Sequence, residues 1–123
     1  MSKIEKVKIL TPINFEETMK SIETNENKKV ICLFTGPDWC PDCVTAEPII
    51  MNCLEETTDE VIFVECLVER GDYKGNAEYF YRTHPKIKLT CIPTLMDWSN
   101  PRLKLDDKQS ADQELVRELM GLS

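Results

Sequence analysis

The sequence predicts an α/β protein with a central mixed β-sheet of about five strands, flanked by about four helices. Two largely apolar runs predict strands: residues 30–35 are typical of a buried strand, and residues 61–68, which are nearly all apolar, of a strand covered on both faces. Stretches with helical spacing separate the predicted strands, and the order β-α-β-α-β-α-β-β-α indicates helices on both faces of the sheet. A chain of 123 residues has the length of one domain, so residues 1–123 are predicted to form a single domain.

The N-terminal half is predicted to hold three strands and two helices. The strands are short and rich in apolar residues, and they lie at residues 7–10, 30–35 and 61–68. Asn14 followed by Glu17 has the pattern of a helix N-cap, and the first helix is expected to end at the polar segment 25–29. The second helix is expected from about residue 41 to about residue 57.

The C-terminal half begins with a predicted loop at 70–76, which contains two glycines. A short helix is expected at 77–83, because it must end before Pro85. Two strands joined by a turn follow, at residues 94–98 and 102–105. Ser110 with Gln113 has the pattern of a capping box, which predicts the start of a last helix there.

Charge and cysteine content exclude several classes of function. The net charge of −7 would repel phosphate backbones and anionic lipids, so neither nucleic-acid nor membrane partners are expected. The six cysteines are irregularly spaced and too few for a disulfide scaffold. Residues 1–8 carry no apolar signal-peptide core, and no apolar run is long enough to span a membrane. A reducing cytoplasm is therefore expected, where a Cys-x-x-Cys is more often catalytic or metal-binding than structural.

The segment Trp39-Cys40-Pro41-Asp42-Cys43 lies at a predicted junction between a strand and a helix. Free N–H groups and the helix dipole favour negative charge at a helix start, so Cys40 is the predicted nucleophile. Cys43 is one turn further on, at the spacing needed to close a disulfide with Cys40. Pro41 suits the first helical position, and with Asp42 it lies between the two sulfurs, where both are predicted to tune the reduction potential.

A structural disulfide and half of a zinc site are the alternatives for these two cysteines. Structural zinc usually takes four ligands, and the chain has one histidine and no second Cys-x-x-Cys. The strand-to-helix context therefore favours redox chemistry, with no bound metal or cofactor expected. Trp39 is expected either to offer a flat apolar surface beside Cys40 or to pack in the core.

Ile92-Pro93-Thr94 is the second informative segment. A proline directly before a strand is a candidate for a cis peptide bond, although most such bonds are trans. Cys91 lies two residues before Pro93. If Pro93 faces the motif, Cys91 becomes a candidate for an extra reactive thiol.

Together these segments resemble the thioredoxin superfamily. The matching features are a Trp-Cys-x-x-Cys after the second strand, Pro48 five positions beyond the second cysteine, and Ile-Pro-Thr at the next-to-last strand. The resemblance implies the thioredoxin fold, with Cys40 as the nucleophile, Cys43 as the resolving thiol and Pro93 as a cis-proline. It also implies a substrate groove that contains Trp39, Ile92, Pro93 and Thr94.

The motif sequence Trp-Cys-Pro-Asp-Cys resembles that of one group of cytosolic disulfide reductases within this superfamily. For that group, the resemblance implies that electrons come from NADPH through thioredoxin reductase, with no cofactor bound to the protein itself. The implied substrates are small disulfides such as cystine and selected protein disulfides, with a contribution to peroxide removal. The protein is expected to act as a monomer.

Two departures from the family pattern affect these expectations. Only Pro37 and Asp38 separate Phe-Thr-Gly from the motif, where the group has a longer insertion, so the loop that limits substrates is shorter. Ordinary thioredoxins also bury an aspartate on the strand before the motif, whereas residues 30–34 contain no acid. Glu47, one turn beyond Cys43, is our hypothesis for the proton acceptor of that thiol.

Three other functions remain open from the sequence. A glutaredoxin-like, glutathione-dependent reductase shares the chemistry, but the basic residues expected for glutathione are absent near the motif, apart from Lys86 and Lys88. A non-catalytic interaction module would make the cysteines incidental. A metal or iron–sulfur site shared by two chains is the third alternative.

Overall fold

The structure, a computed structural model, describes residues 4–23 and 28–122. Its single described sheet has five strands: β1 (Ile4–Ile9), β2 (Lys29–Thr35), β3 (Val61–Leu67), β4 (Thr94–Asp97) and β5 (Asn100–Leu105). The strand order is β1-β3-β2-β4-β5. Strands β1, β3 and β2 are parallel, whereas β4 runs antiparallel to both β2 and β5. The predicted mixed sheet is therefore confirmed.

Five α-helices occur in the described residues, one more than expected. They are α1 (Phe15–Glu23), α2 (Pro41–Glu55), α3 (Arg70–Tyr73), α4 (Phe80–Thr83) and α5 (Gln113–Leu119), with short 3₁₀ turns at Pro12–Asn14 and Gln109–Ala111. The additional helix is α3, a single turn within the segment expected to be a loop. No helix within residues 4–23 and 28–122 is long and apolar enough to cross a bilayer.

Both faces of the sheet are covered, which explains why β2 reads as a continuous apolar run. Ile31 and Leu33 point to one face, where they pack with buried side chains of α2 and α5. Cys32 and Phe34 point to the other face, where they pack with α1 and an aromatic cluster. Successive side chains of a strand alternate between faces, so a strand buried on both sides is apolar along most of its length.

Two predicted helix caps are wrong. Asn14 lies inside the 3₁₀ turn Pro12–Asn14, because a proline is preorganised for the first position of a helical turn. Asp112 caps α5, because its carboxylate accepts the backbone N–H groups of Glu114 and Leu115 at 3.0 and 3.3 Å. Ser110 is buried and donates its hydroxyl to the carbonyl of Leu105 instead.

Several predicted boundaries also shift. The expected loop at 70–76 contains helix α3, and the helix expected at 77–83 is reduced to the single turn of α4. The turn between the last two strands is shorter than expected, because β4 ends at Asp97 and β5 already begins at Asn100. The predictions for residues 1–3 and 24–27 lie outside the described residues.

Candidate active site

The two cysteines of the motif lie at the start of α2, which follows the C-terminal end of β2. Cys40 is the N-cap of α2, with an extended backbone (φ −106°, ψ 108°), and Pro41 is the first helical residue. The sulfur of Cys40 accepts the backbone N–H of Cys43 at 3.2 Å. An unpaired N–H at a helix start is thereby directed at this sulfur, which stabilises negative charge on it.

Cys43 lies behind Cys40 and is sealed from solvent, with 1 % of its surface exposed. Its sulfur accepts the backbone N–H of Gly36 at 3.3 Å. Burial raises the pKa of the Cys43 thiol to about 12, and the adjacent Cys40 side chain adds to the rise. The Gly36 N–H and the Thr35 hydroxyl partly offset it. Cys43 is therefore protonated at neutral pH, and of the two motif thiols only Cys40 borders the groove described below.

The segment around Pro93 forms the opposite wall. The Ile92–Pro93 peptide bond is cis, and the thiol of Cys40 lies 3.8 Å from the carbonyl oxygen of Ile92. Thr94 is buried and donates its hydroxyl to the carbonyl of Cys91 at 2.7 Å, which braces the backbone behind Ile92. The structure thus brings the two predicted segments together.

A groove of about 360 Å³ opens over Cys40. It is lined by Trp39, Cys40, Pro41, Tyr73, Cys91 and Ile92, together with two cationic side chains, Arg70 and Lys74. Of the predicted groove residues, Trp39 and Ile92 line it, whereas Pro93 and Thr94 are buried behind them. Their contact with substrate stays a prediction.

Trp39 has both of the roles considered for it. Its indole N–H donates to the carbonyl of Val68 at 2.8 Å, and its ring packs against the core with a centroid 6.1 Å from that of Tyr73. The outer side of the ring forms a wall of the groove. A larger cavity of about 730 Å³ opens on the far side of Trp39, and neither Cys40 nor Cys43 lines it.

Comparison with known proteins agrees with this geometry. The family model described as thioredoxin domain-containing protein 17-like, thioredoxin domain, matches residues 9–121. This chain belongs to that family. The resemblance to the thioredoxin superfamily is therefore confirmed, and the chain is a thioredoxin-fold protein of a redox family.

Relatives of this family member extend over nearly its whole length. It is 33 % identical to thioredoxin domain-containing protein 17 of Mus musculus over 127 residues, which cover 98 % of each chain. It is 35 % identical to the thioredoxin-like protein Clot of Arabidopsis thaliana over 117 residues, which cover 87 % of each chain.

Solved structures share the fold. The reduced thioredoxin of Schistosoma mansoni aligns with a TM-score of 0.63 at 18 % identity, covering 95 % of this chain and 96 % of the other. Deadhead, a germline-specific thioredoxin of Drosophila melanogaster, gives 0.60 at 14 % identity, covering 94 % and 96 %. The predicted thioredoxin fold is confirmed.

In this family member, the two acids to which roles at the motif were assigned, Asp42 and Glu47, are both exposed. Asp42 is exposed in the first turn of α2. Glu47 is exposed and lines a separate cavity that also contains Lys6 and Lys8. Within the described residues, no hydrogen bond or ion pair joins Glu47 to Cys43, so its role as proton acceptor stays a prediction. No group of three or more metal-ligating side chains occurs in the same residues.

Thr35 is the polar side chain beside Cys43, and sequence reasoning did not find it. It is the last residue of β2, it is buried, and its hydroxyl lowers the pKa of the Cys43 thiol. The available signal was its position: a hydroxyl at the end of a buried apolar strand, directly before the loop that leads to the motif.

Replacing Thr35 by valine should slow the attack of Cys43 on Cys40. Valine has nearly the shape of threonine but no hydroxyl, so the Cys43 thiolate loses a hydrogen-bond donor. We expect a decrease of about threefold at neutral pH and a shift of the pH–rate profile to higher pH. The measurement is the rate at which a mixed disulfide on Cys40 closes to the Cys40–Cys43 disulfide, followed from neutral to alkaline pH.

Glu47→Gln is the matched test of the earlier hypothesis, because it removes a carboxylate without changing the size of the side chain. If Glu47 accepts the proton of Cys43, this variant slows closure and alters its pH profile. An unchanged profile removes Glu47 from the mechanism. Closure that is insensitive to Thr35→Val would contradict the role given to Thr35.

Besides the Cys40 thiol, which keeps 7 % of its residue surface exposed, the thiol of Cys91 borders the groove. It is half-buried, it lines the same groove as Cys40, and its sulfur lies 3.8 Å from the hydroxyl of Thr90 and 4.0 Å from that of Thr94. Cys32, Cys53 and Cys66 are fully buried in the core, as expected for inert thiols.

Alkylation of the reduced native protein should therefore modify two of its six cysteines, Cys40 and Cys91. Iodoacetamide can enter the groove, whereas the other four thiols are covered by packed side chains. Peptide mass spectrometry reads the sites, and the unfolded protein, in which all six react, is the control. Modification of a third thiol at a similar rate would contradict the burial described here.

Proposed function

We propose that this protein is a cytosolic disulfide reductase that works through a reversible disulfide between Cys40 and Cys43. The observation that supports this most directly is the arrangement of the two thiols. One sulfur accepts an N–H at a helix start and borders a groove, and the other lies sealed one helical turn behind it. Such a pair suits a nucleophile and a resolving thiol.

In the first step, the Cys40 thiolate attacks one sulfur of the substrate disulfide. A bond forms between Cys40 and that sulfur, the substrate disulfide breaks, and the other half leaves as a thiolate. The N–H of Cys43 stabilises the attacking thiolate, because it points at the Cys40 sulfur from 3.2 Å. Ile92 lies directly beside this sulfur and limits the directions from which a disulfide can approach.

In the second step, Cys43 loses its proton and attacks the Cys40 sulfur. The Cys40–Cys43 disulfide forms, and the second half of the substrate leaves as a thiolate. The substrate gains two electrons and the protein dithiol loses two. Because the pKa of Cys43 is raised to about 12, its deprotonation is the costly part of this step. The contribution of the Cys40 thiol to that rise disappears once Cys40 is bound to substrate.

The protein is then reduced again by thioredoxin reductase at the expense of NADPH, without a cofactor of its own. Its substrates are small disulfides such as cystine and selected protein disulfides, and its turnover contributes to peroxide removal. It acts in the cytoplasm as a monomer. Membership of the thioredoxin domain-containing protein 17-like family supports these assignments, because its relatives match over nearly the full chain.

The test is NADPH consumption in the presence of thioredoxin reductase, with cystine and with insulin as alternative substrates. We expect consumption with cystine, little with insulin, and none with Cys40→Ser. Turnover with glutathione and glutathione reductase, but not with thioredoxin reductase, would replace this proposal by the glutaredoxin-like one. Absence of turnover with either donor would favour a non-catalytic interaction module.

A further inference from the structure

We propose that Arg70 and Lys74 form a carboxylate-binding site beside Cys40, which selects disulfides that carry carboxylates close to their sulfur atoms. This inference rests on the proposed function and adds the feature that chooses among substrates. Both side chains line the groove over Cys40, and none of the other residues that line it is acidic. The groove is therefore positive although the chain has a net charge of −7.

The fold fixes these two residues at the groove. Helix α3 is a single turn, and the N–H of Lys74 donates to the carbonyl of Arg70 at 2.9 Å, so the two positions lie one above the other. Tyr73 anchors this turn, because it is buried between the rings of Trp39 and Tyr79, with centroid distances of 6.1 and 5.8 Å. The guanidinium of Arg82 also covers its ring, at 4.0 Å.

Neither cation is neutralised within the described residues. The four ion pairs there involve Lys8, Lys29, His84 and Arg117 as the basic partners. The ammonium of Lys74 lies 6.0 Å from the centre of the Trp39 ring, on the wall of the groove.

The acids nearest in sequence do not occupy the groove either. Glu69 lines only the larger cavity on the far side of Trp39, which Arg70 also borders, and no ion pair joins Glu69 to Arg70 within the described residues. Asp72 is exposed and lines neither cavity. Both cations are thus available to an anionic ligand that enters next to Cys40.

The chemistry of the two side chains indicates the ligand. A guanidinium binds a carboxylate through two parallel hydrogen bonds, and an ammonium adds a point charge next to it. A small disulfide must place one sulfur against Cys40, so a carboxylate a few bonds away from that sulfur falls within reach of the groove wall. Low-mass disulfides of carboxylate-bearing thiols fit this arrangement, whereas cationic disulfides are repelled by it.

The experiment measures the oxidation of pre-reduced protein by three small symmetrical disulfides, without a reductase. Dithiodipropionate is anionic, hydroxyethyl disulfide is neutral, and cystamine is cationic. Each oxidises the Cys40–Cys43 dithiol to the disulfide and is released as two thiols. Stopped-flow tryptophan fluorescence reports the reaction, because Trp39 adjoins Cys40.

The double variant Arg70→Gln, Lys74→Gln should lower the ratio of the dithiodipropionate rate to the hydroxyethyl disulfide rate about tenfold. The neutral substrate thus serves as the control for folding and for thiol reactivity. Charge reversal, Arg70→Glu with Lys74→Glu, should speed the reaction with cystamine. Added salt should reduce the preference of the wild type for the anion.

Lys20→Gln with Lys108→Gln is the matched control, because it removes the same charge at two exposed positions away from the groove. It should leave the order of the three substrates unchanged. If the ratio of anionic to neutral rates is the same in wild type and in the Arg70, Lys74 variant, this inference is overturned and the proposed function stands. If none of the disulfides oxidises the reduced protein, the proposed function falls and this inference with it.

Discussion

Replacement of Cys43 by serine should abolish turnover and leave the protein joined to its substrate through Cys40. The first step needs only Cys40, which faces the groove, whereas release of the substrate needs the buried thiol behind it. We expect a loss of at least about a thousandfold in steady-state rate, since an essential nucleophile is removed. Intact-protein mass spectrometry after a single addition of cystine should show one added half-cystine, removed by dithiothreitol.

Two further variants make this result specific. Cys53→Ala changes another buried cysteine of the same helix that does not line the groove, so it should retain turnover and form no stable adduct. Cys43→Ser with Cys91→Ser tests whether the second accessible thiol can resolve the adduct. If Cys43→Ser alone keeps most of its turnover, Cys43 is not the resolving thiol, and loss of activity only in the double variant would give that role to Cys91.

Gly36→Ala should destabilise the protein and disturb the site at the same time. A Cβ at this position would lie 2.5 Å from Cε2 of the Trp39 ring, closer than such atoms approach each other. The ring cannot retreat freely, because its N–H is bonded to the carbonyl of Val68 at 2.8 Å. We expect the free energy of unfolding to fall by about 1–3 kcal/mol, the usual cost of overpacking a closed site.

The effect on activity follows from the backbone of the same residue. The N–H of Gly36 is bonded to the sulfur of Cys43, and its carbonyl accepts the N–H of Cys40 at 3.0 Å. Movement of this turn should therefore slow closure of the disulfide as well as lower stability. Denaturant unfolding measures the loss of stability, and the closure rate measures the effect on the site. Tryptophan emission reports the displacement of the Trp39 ring.

Gly71→Ala is the matched control, because a Cβ there meets nothing within 4 Å. Its position within the helical turn α3 makes alanine neutral or stabilising by up to about 1 kcal/mol, since glycine loses more backbone entropy on folding. Equal stability of the Gly36→Ala and Gly71→Ala proteins would contradict the packing described for Trp39.

The parts of the fold that depend on burial could be predicted from the sequence. Strand β2 alternates between two apolar layers, with Ile31 and Leu33 on one side and Cys32 and Phe34 on the other, and this leaves an unmistakable apolar run. The same holds for β3. Helix α2 was predictable because the motif and its proline mark its first turn.

The parts of the fold in which neighbouring residues compete to start or cap a helix could not be predicted. Asn14 and Ser110 both have good capping sequences, but Pro12 starts a 3₁₀ turn and Asp112 is better placed to bond the free N–H groups of α5. Helix α3 has four residues, which is too short for any periodicity. It exists because Tyr73 is buried against Trp39, a contact that sequence patterns do not contain.

The candidate site also has one part that could be predicted from the sequence and one part that could not. Cys40 and Cys43 are neighbours by local spacing, so the sequence was sufficient for them. The wall containing Arg70 comes from a distant segment. Parallel pairing brings the end of β3 next to the end of β2, where Val68 bonds to the carbonyl of Thr35 at 2.9 Å, and this sets α3 beside the motif.

The sealing of Cys43 has a consequence for the kinetics of the whole cycle. In the oxidised protein only the Cys40 sulfur can be attacked from outside, so the electron donor must use the same opening that the substrate used. The electron donor and the substrate disulfide therefore bind alternately and never at the same time. Double-reciprocal plots at several donor concentrations should accordingly be parallel lines, the signature of a ping-pong cycle.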